Sequence, residues 1–477
     1  MAKIETVVFL SLVLDLFAFT IPLPLFPRLI EWYTLREISD ANGFLSRTLG
    51  FVSYIRSFLY NPAVTAHSGR WDVVLLGGLM GSAFSTLQFI VSPRIGSLSD
   101  KYGRKRILLL TMIGNLLSAL VWIKSTTFAS YMLSRVIGGL SEGNVQLAIA
   151  ILSDITTPTN RSRALAHVGI AFAICFCIGP PIGAYFASKP LPPSLSANTL
   201  IGDLNIFAVP AILTLILLTV ETAFLAIALP ETRGKGLRLS TEEKAAFPNG
   251  KPPDGKPSVS KKASIERRLA TLQSLRHFHL LFLGLFSGVE FTLTFLTFDL
   301  FDWNNKQNGM LIGSIGIISA LLQGGYVRRA TSKVGEGVMA QRGVSSCAVG
   351  LVLLALLPQF VVSNPVLAHK LLQGAAVCMA FTSATVVNSL TAFASLQCDE
   401  GGFDPVTGKN VKEHPQLAKG KALGNFRSSG QLGRAVGPLL ACASYWTVGP
   451  SYTYAGSAIA MLVLSSGMKR IAKPAQA

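Results

Sequence analysis

Seven ionisable side chains interrupt long apolar stretches of this 477-residue chain. Each stretch is about as long as a helix that crosses the hydrocarbon core of a bilayer, roughly 20 residues. A charged side chain at that depth costs about 2.5–3.5 kcal/mol on insertion scales, so each one needs a partner, a substrate or a coupling ion. The seven are Asp15, Arg135, Glu142, Glu221, Glu290, Arg427 and Arg434.

Arg434 is the best candidate for holding a carboxylate, because a guanidinium offers two parallel donors. It stands about fourteen residues, or ~21 Å along a helix, from the start of its stretch, which is close to the bilayer midplane. A structural ion pair with Glu290 explains Arg434 equally well. Glu290 itself could carry a coupling proton or only pack. Arg427 lies nearer the start of this stretch than Arg434 does and is expected to contact lipid head groups or an opposing loop.

Arg135 and Glu142 follow each other, with Gly139 and Gln146, at spacings of three and four that place them on one helix face. The two charges are two turns apart, about 10 Å, which is too far for a direct pair. Each is expected to meet another helix or the substrate, either to bind and gate or to lock the helices together. Glu221 is expected to pair structurally, and Asp15 fits a cavity or a packing role.

The composition indicates which elements hold these charges. Half of the residues are apolar and only 14% are charged, and the mean hydropathy is +0.49, so the chain is predicted to be an integral membrane protein. We predict an all-α fold with twelve transmembrane helices, called spans 1 to 12 below. They cover about residues 7–30, 73–95, 106–124, 128–153, 164–187, 204–229, 276–300, 307–328, 337–360, 366–397, 420–445 and 448–470.

The basic residues predict the orientation. The net charge is +18, and about 30 of the 42 Lys and Arg residues fall in loops and tails on the side of the N-terminus. Both termini are therefore predicted to be cytoplasmic, in a membrane that the sequence does not identify. No basic patch with interleaved aromatic residues occurs, so nucleic acid is not a predicted partner.

The chain divides into two halves of six spans. Residues 1–230 form the predicted N-terminal bundle, with a long non-cytoplasmic loop at 31–72, and residues 277–477 form the C-terminal bundle. Between them, residues 231–276 are polar and rich in Pro, Gly, Ser and Lys, which predicts a disordered cytoplasmic linker.

A repeated motif relates the two halves. The run IGPPIGAYF at 178–186 recurs as VGPLLACASYW at 436–446, which indicates a duplicated six-helix unit in parallel orientation. The small residues and prolines of the two copies are predicted to bend their helices. These residues are Gly179, Pro180, Gly183, Gly437 and Pro438.

The segment GSLSDKYGRKR at 96–106, between spans 2 and 3, resembles the loop signature of the major facilitator superfamily. The resemblance implies contacts that hold the halves together in one state. Gly96 would allow close helix approach, Asp100 would sit at the positive N-terminus of span 11, and Arg104 would pair with Asp154 at the end of span 4. We call Gly96, Asp100, Gly103, Arg104 and Asp154 the latch residues.

Three further runs agree with this family: RVIGGLSEG at 135–143, the glycine–proline run of span 5, and LPET at 229–232. Three more runs are similar to sequences of the tetracycline-transporter-like branch of this family, which is the branch of domain-containing protein 10. These runs are FLSLVLDLFAFTIPLPLFP, GLFSGVEFTLTFLTF and GNFRSSGQLGRAVGPLL. This branch implies transport of amphipathic organic anions.

The family also implies a central cavity lined by spans 1, 4, 7 and 10, within reach of Asp15, Arg135, Glu142 and Glu290. Cys175 replaces an expected glycine of span 5, which leaves antiport open.

These observations predict a monomeric secondary transporter that moves small organic solutes by alternating access, with a coupling proton as a possible second substrate. No GxxxxGKT loop, HExxH motif or nucleophile elbow occurs, so no ATP-driven pump, enzyme, cofactor or metal site is predicted. One alternative is an exporter of cationic drugs, or another solute carrier, that uses Asp15, Glu142 and Glu290 as attractive charges. Another is a scaffold or receptor that moves nothing.

Overall fold

The computed structural model describes residues 4–22, 25–37, 39–40, 42–59, 71–156, 158–187, 204–205, 207–233, 258–303, 305–398, 402–403, 410–411 and 414–472. Within these residues the helices are α1 (Ile4–Thr20), α2 (Phe26–Arg36), α3 (Phe44–Leu59), α4 (Trp71–Tyr102), α5 (Arg104–Ile123), α6 (Phe128–Ser141), α7 (Asn144–Ile155), α8 (Pro158–Ala187), α9 (Ala208–Ala228), α10 (Ser258–Phe301), α11 (Asn305–Leu322), a π-helical turn (Gln323–Val327), α12 (Arg328–Val334), α13 (Glu336–Phe360), α14 (Pro365–Gln397), α15 (Lys419–Val448) and α16 (Pro450–Ala472). Two short antiparallel strands, β1 (Gly402–Phe403) and β2 (Asn410–Val411), pair between α14 and α15.

All twelve predicted spans coincide with helical segments of the described chain. Span 1 corresponds to α1 with α2, span 4 to α6 with α7, and span 8 to α11, the π-helical turn and α12. By length and composition alone, eight described stretches are apolar enough to cross a membrane. They are Arg104–Ile123, Phe128–Ile155, Asn160–Gly183, Ala208–Ala228, Ile265–Phe301, Gln307–Thr331, Glu336–Phe360 and Pro365–Gln397.

Span 4 is not the continuous helix that its periodicity predicts. Glu142 has an extended backbone (φ −71°, ψ 96°), and α7 begins only after Gly143. The break changes the direction of the side chains that follow. The prediction that Arg135 and Gln146 share one helix face was therefore wrong.

The segment between spans 2 and 3 is almost entirely helical rather than a loop. α4 continues to Tyr102 and α5 begins at Arg104, so Gly103 alone joins them. Its φ of 103° is a conformation that glycine adopts without steric cost. The latch residues at 96–104 are therefore held on two rigid helices.

The predicted linker 231–276 is shorter than expected, because α10 begins at Ser258. Its first turns carry Ile265, Leu269, Leu272 and Leu275 at helical spacing, and the last two are buried. The prediction of a disordered segment was wrong for residues 258–276, and residues 234–257 lie outside the described part. The predicted loop 31–72 contains the end of α2 and the whole of α3, whereas residues 60–70 lie outside the described part.

The helices pack through two buried cores. One core joins α1, α5, α7, α8 and α9, and the other joins mainly α10, α13, α14, α15 and α16. α8 runs without interruption through Pro180 and α15 through Pro438, so the predicted bends remain predictions. Gly179 packs against Thr20, and a Cβ atom at Gly437 would overlap the Gly284 carbonyl, which brings α15 close to α10. Gly183 also lies within α8.

Candidate functional site

A cavity of about 350 Å³ lies between the two halves. Side chains from α1, α4, α7, α8, α10, α11, α14 and α15 surround it. Its charged and polar lining includes Asp15, Gln88, Glu142, Gln146, His279, Glu290, Gln323, Asn388, Arg427, Gln431 and Arg434, and its aromatic lining consists of Phe19, Phe84, Phe172, Phe176 and Phe426. This mixture suits a ligand with an aromatic or aliphatic body and a charged group.

Two guanidinium groups on α15 form the cationic part of the cavity. Arg427 and Arg434 are seven residues apart, which places them two turns apart on the same helix. In the described part of the chain, neither lies within 4.0 Å of a carboxylate, and Arg427 Nε has no hydrogen-bond partner. Arg427 was predicted to contact lipid head groups or an opposing loop, and it lines the central cavity instead.

Three carboxyl groups face the same cavity. Glu290 lies near the middle of span 7, within α10, and is nevertheless accessible, because it faces open space rather than a neighbouring helix. Asp15 is only 4% exposed, and the side-chain amide of Asn144 donates to its Oδ1 at 2.5 Å. Glu142 reaches the cavity from the break between α6 and α7. The structure thus brings together Asp15, Glu142, Glu290 and Arg434, four of the five residues predicted for binding or coupling.

The fifth, Arg135, does not line this cavity. Its guanidinium lies 5.9 Å from the ring centroid of Trp122 and 5.7 Å from that of Tyr131, distances typical of cation–π contacts. The prediction that it reaches the central cavity was therefore wrong. These contacts favour the alternative in which Arg135 holds helices together.

Glu221 also differs from expectation. It is 1% exposed on α9, its Oε2 has no hydrogen-bond partner, and no ion pair joins it to another described residue. The predicted structural pair is therefore absent from the described part of the chain. An ionised carboxylate in such a site would be strongly destabilised unless another group compensated its charge.

The sequence reasoning missed His279, which lies on α10 and lines the cavity. Its ring stacks on that of Phe426 with centroids 4.1 Å apart, and its Nδ1 lies 3.0 Å from the Phe426 carbonyl oxygen. The available signal was a histidine inside an apolar stretch. Gln323, in the π-helical turn, was also missed, and no sequence pattern predicts that turn.

The Asp100 carboxylate accepts hydrogen bonds from the first backbone amides of α15, at 2.9 Å from Gly420 N and 2.7 Å from Lys421 N. This is the contact predicted for it, and it joins the N-terminal half to the C-terminal half. Gly96 lies directly against Gly420, and a Cβ atom at Gly96 would overlap the Gly420 carbonyl. We call the side of the membrane where α9 ends and α15 begins the linker side.

Arg104 is completely buried and connects two other latch residues, Asp100 and Asp154, within the N-terminal half. Its Nη1 lies 2.8 Å from Asp100 Oδ1, and its Nε lies 2.9 Å from Asp154 Oδ2. The predicted pair with Asp154 is present, but both partners belong to the same half. A different cation crosses to the other half, because Lys419 Nζ lies 3.4 Å from Asp154 Oδ1.

The remaining latch residue, Gly103, lies against Glu231 of the LPET run. The Glu231 carboxylate accepts hydrogen bonds from the backbone amides of Arg104 at 2.8 Å and Lys105 at 3.2 Å. These bonds satisfy backbone N–H groups at the N-terminus of α5 that have no partner within the helix. A Cβ atom at Gly103 would collide with this carboxylate. Gly103 is therefore required both by its φ angle and by the approach of Glu231.

The comparisons with known proteins agree with this architecture. The family model described as Major Facilitator Superfamily matches residues 48–403. Major facilitator superfamily domain-containing protein 10 of Mus musculus is 34% identical over 456 residues, which cover 94% of this chain and 88% of the relative. The crystal structure of the human organic anion transporter MFSD10 (TETRAN) covers 98% of both chains at 30% identity, with a TM-score of 0.75.

A more distant structure shares the fold alone. The proton:xylose symporter XylE is 14% identical and has a TM-score of 0.63. Together the comparisons confirm the predicted resemblance to the domain-containing protein 10 branch. They also confirm the predicted all-α fold of twelve transmembrane helices in two pseudo-symmetric six-helix bundles.

Proposed function

Since the chain belongs to the major facilitator superfamily, and is therefore an integral multi-pass transporter rather than an enzyme, we propose that its substrate is a small organic anion. Arg427 and Arg434 carry this proposal. Two guanidinium groups that have no carboxylate within 4.0 Å in the described chain leave their donors available to a ligand. The aromatic side chains around them favour an amphipathic anion, and the organic anion transporter MFSD10 is similar over 98% of its chain.

We further propose that protons are taken up together with the anion. Arginine stays charged at any physiological pH, whereas Asp15, Glu142 and Glu290 can be neutralised. With these carboxyl groups protonated, the cavity carries two positive charges and attracts an anion. Because such linkage is reciprocal, a bound anion would in turn favour protonation. This mechanism corresponds to symport of protons with the anion.

The latch contacts support transport by alternating access. Asp100, Lys419 and Asp154 join the halves on the linker side, which we propose to be cytoplasmic. Opening the cavity to that side requires these contacts to break while the two bundles move relative to each other. We propose that the chain does this as a monomer.

Transport of cations is the second candidate, because three carboxyl groups line the same cavity as the two arginines. In their ionised form these groups would attract a cationic drug, and the protein would then exchange it for protons. The two candidates predict opposite charge selectivity and opposite responses to a pH gradient.

Uptake into proteoliposomes distinguishes them. We expect a labelled aromatic carboxylate to accumulate, and to do so faster when the side from which it enters is acidic. Arg427→Ala and Arg434→Ala should each abolish this uptake, whereas Arg267→Ala, an exposed arginine on α10, should leave it unchanged. Accumulation of organic cations but not anions would support the second candidate. Absence of uptake of either, by protein that is folded, would support a scaffold or receptor.

A further inference from the structure

A second cavity, of about 530 Å³, lies outside the central one. One face of α10, one face of α15 and Phe89 of α4 line it. On α15 its lining residues are Lys421, Ala422, Asn425, Ser429 and Leu432, whereas the central cavity uses Leu423, Phe426, Arg427, Gln431 and Arg434. The two cavities therefore lie against different faces of α15. The second cavity lies near the linker side, where α15 begins.

The polar lining of this cavity is cationic. Arg276 and Lys421 approach it from α10 and α15, and His277, Gln273, Gln416 and Asn425 add further hydrogen-bond donors. No Asp or Glu is among its described lining residues. One lining residue, Lys421, contacts a carboxylate through its backbone amide, which donates to Asp100, and Arg104 pairs with that same carboxylate. A site with these donors is complementary to a phosphate group.

The remaining lining is apolar. Leu269, Leu272 and Leu280 line the α10 side, and Leu432 and Phe89 lie opposite. Free phosphate would make no favourable contact with this apolar surface. The glycerol backbone and first acyl carbons of a phospholipid would bury it. Basic pockets between transmembrane helices are suited to lipid head groups for this reason.

We propose that this cavity binds the head group of an anionic phospholipid from the linker-side leaflet, with Arg276 and Lys421 as the phosphate ligands. The bound lipid would touch α4 of the N-terminal half and α10 and α15 of the C-terminal half. It would thus stabilise the arrangement in which Asp100 contacts the start of α15. The proposal is independent of the nature of the transported substrate.

Native mass spectrometry of the full-length protein in detergent tests this site. The probe is dioleoylphosphatidylglycerol, compared with dioleoylphosphatidylcholine and inorganic phosphate. We expect one saturable phosphatidylglycerol adduct on the wild type. Each Lys or Arg near a membrane surface contributes about 1 kcal/mol to anionic lipid binding, so Arg276→Gln with Lys421→Gln should weaken the adduct roughly 25-fold.

The matched control is Arg267→Gln with Arg268→Gln, which removes two charges from the same helix at positions that do not line the cavity. It should retain the adduct. Equal weakening in both double variants would overturn the proposal in favour of general charge attraction. Equal binding of phosphatidylcholine, or displacement of the adduct by inorganic phosphate, would also overturn it. If the cavity double variant does not fold, each single variant should still weaken binding about fivefold.

Discussion

Asp100→Asn should shift the protein towards an arrangement that is open on the linker side. In the wild type the carboxylate accepts hydrogen bonds from two backbone amides of α15, those of Gly420 and Lys421. An asparagine side chain has only one acceptor oxygen, and its NH₂ group would face the second amide. The substituted side chain would also carry no charge to interact with the N-terminus of the helix. It could still accept a hydrogen bond from Arg104, so the N-terminal half should stay folded.

The magnitude follows from the two hydrogen bonds that Asp100 accepts from α15. A hydrogen bond to a charged group contributes about 1.5–3 kcal/mol, and every 1.4 kcal/mol changes an equilibrium tenfold. The substitution removes one such bond and weakens the other. We therefore expect the ratio of open to closed protein to rise roughly 10- to 150-fold.

Cys398 offers a native reporter of this change. It follows the end of α14 on the linker side and is 2% exposed, and its burial raises the pKa of the thiol to about 12. The thiol should therefore react with a maleimide only in the open arrangement. Raising the pH above the ordinary thiol pKa of about 8.5 should favour opening, because the open form then releases the thiol proton while the closed form retains it.

The measurement is the labelling rate at pH 7.5 in a variant whose other five cysteines are alanine. Asp100→Asn should raise this rate by the factor given above while the open form is a minority. Glu266→Gln, which neutralises an exposed carboxylate on α10, is the control and should not change it. An unchanged rate in folded Asp100→Asn protein would refute the role of this contact in closing the linker side.

Four further predictions concern the ionisable residues of the spans and the linker. Arg434→Lys keeps the charge but loses the two-donor fork, so anion affinity should weaken in equilibrium binding while some transport survives. Arg434→Ala combined with Glu290→Ala separates binding from pairing, and a folded double variant that transports anions at wild-type affinity would falsify the substrate-binding role. We expect Glu221→Gln to leave the thermal melt almost unchanged, because burial disfavours the charged form of a carboxyl group and an amide of nearly the same size replaces it; strong destabilisation would show that the group is charged. Protease added to the cytoplasmic side of sealed vesicles should cut the polar segment that the composition predicts to link the two halves, and cleavage only from the opposite side would contradict the predicted topology.

The local sequence was sufficient for the positions of the twelve apolar spans, and a family resemblance added the Asp100 contact. Apolar length predicts a transmembrane helix because a spanning segment must satisfy its own backbone hydrogen bonds. The GSLSDKYGRKR run identified the latch through its resemblance to the loop signature of the major facilitator superfamily, which implied the Asp100 contact with α15. The repeat of the glycine–proline run indicated the two related halves.

The rotation of each helix was decided only by the tertiary structure. In a soluble protein the apolar stripe shows which face is buried, but lipid is as apolar as a protein core, so the stripe carries little information in a membrane. This is why Arg427 was expected at lipid and lies in the cavity, whereas Arg135 was expected in the cavity and packs on Trp122 and Tyr131. The break at Glu142 and the stacking of His279 on Phe426 likewise depend on neighbours distant in the chain. The sequence by itself determined which charges are buried, and packing between helices decided which of them face the cavity.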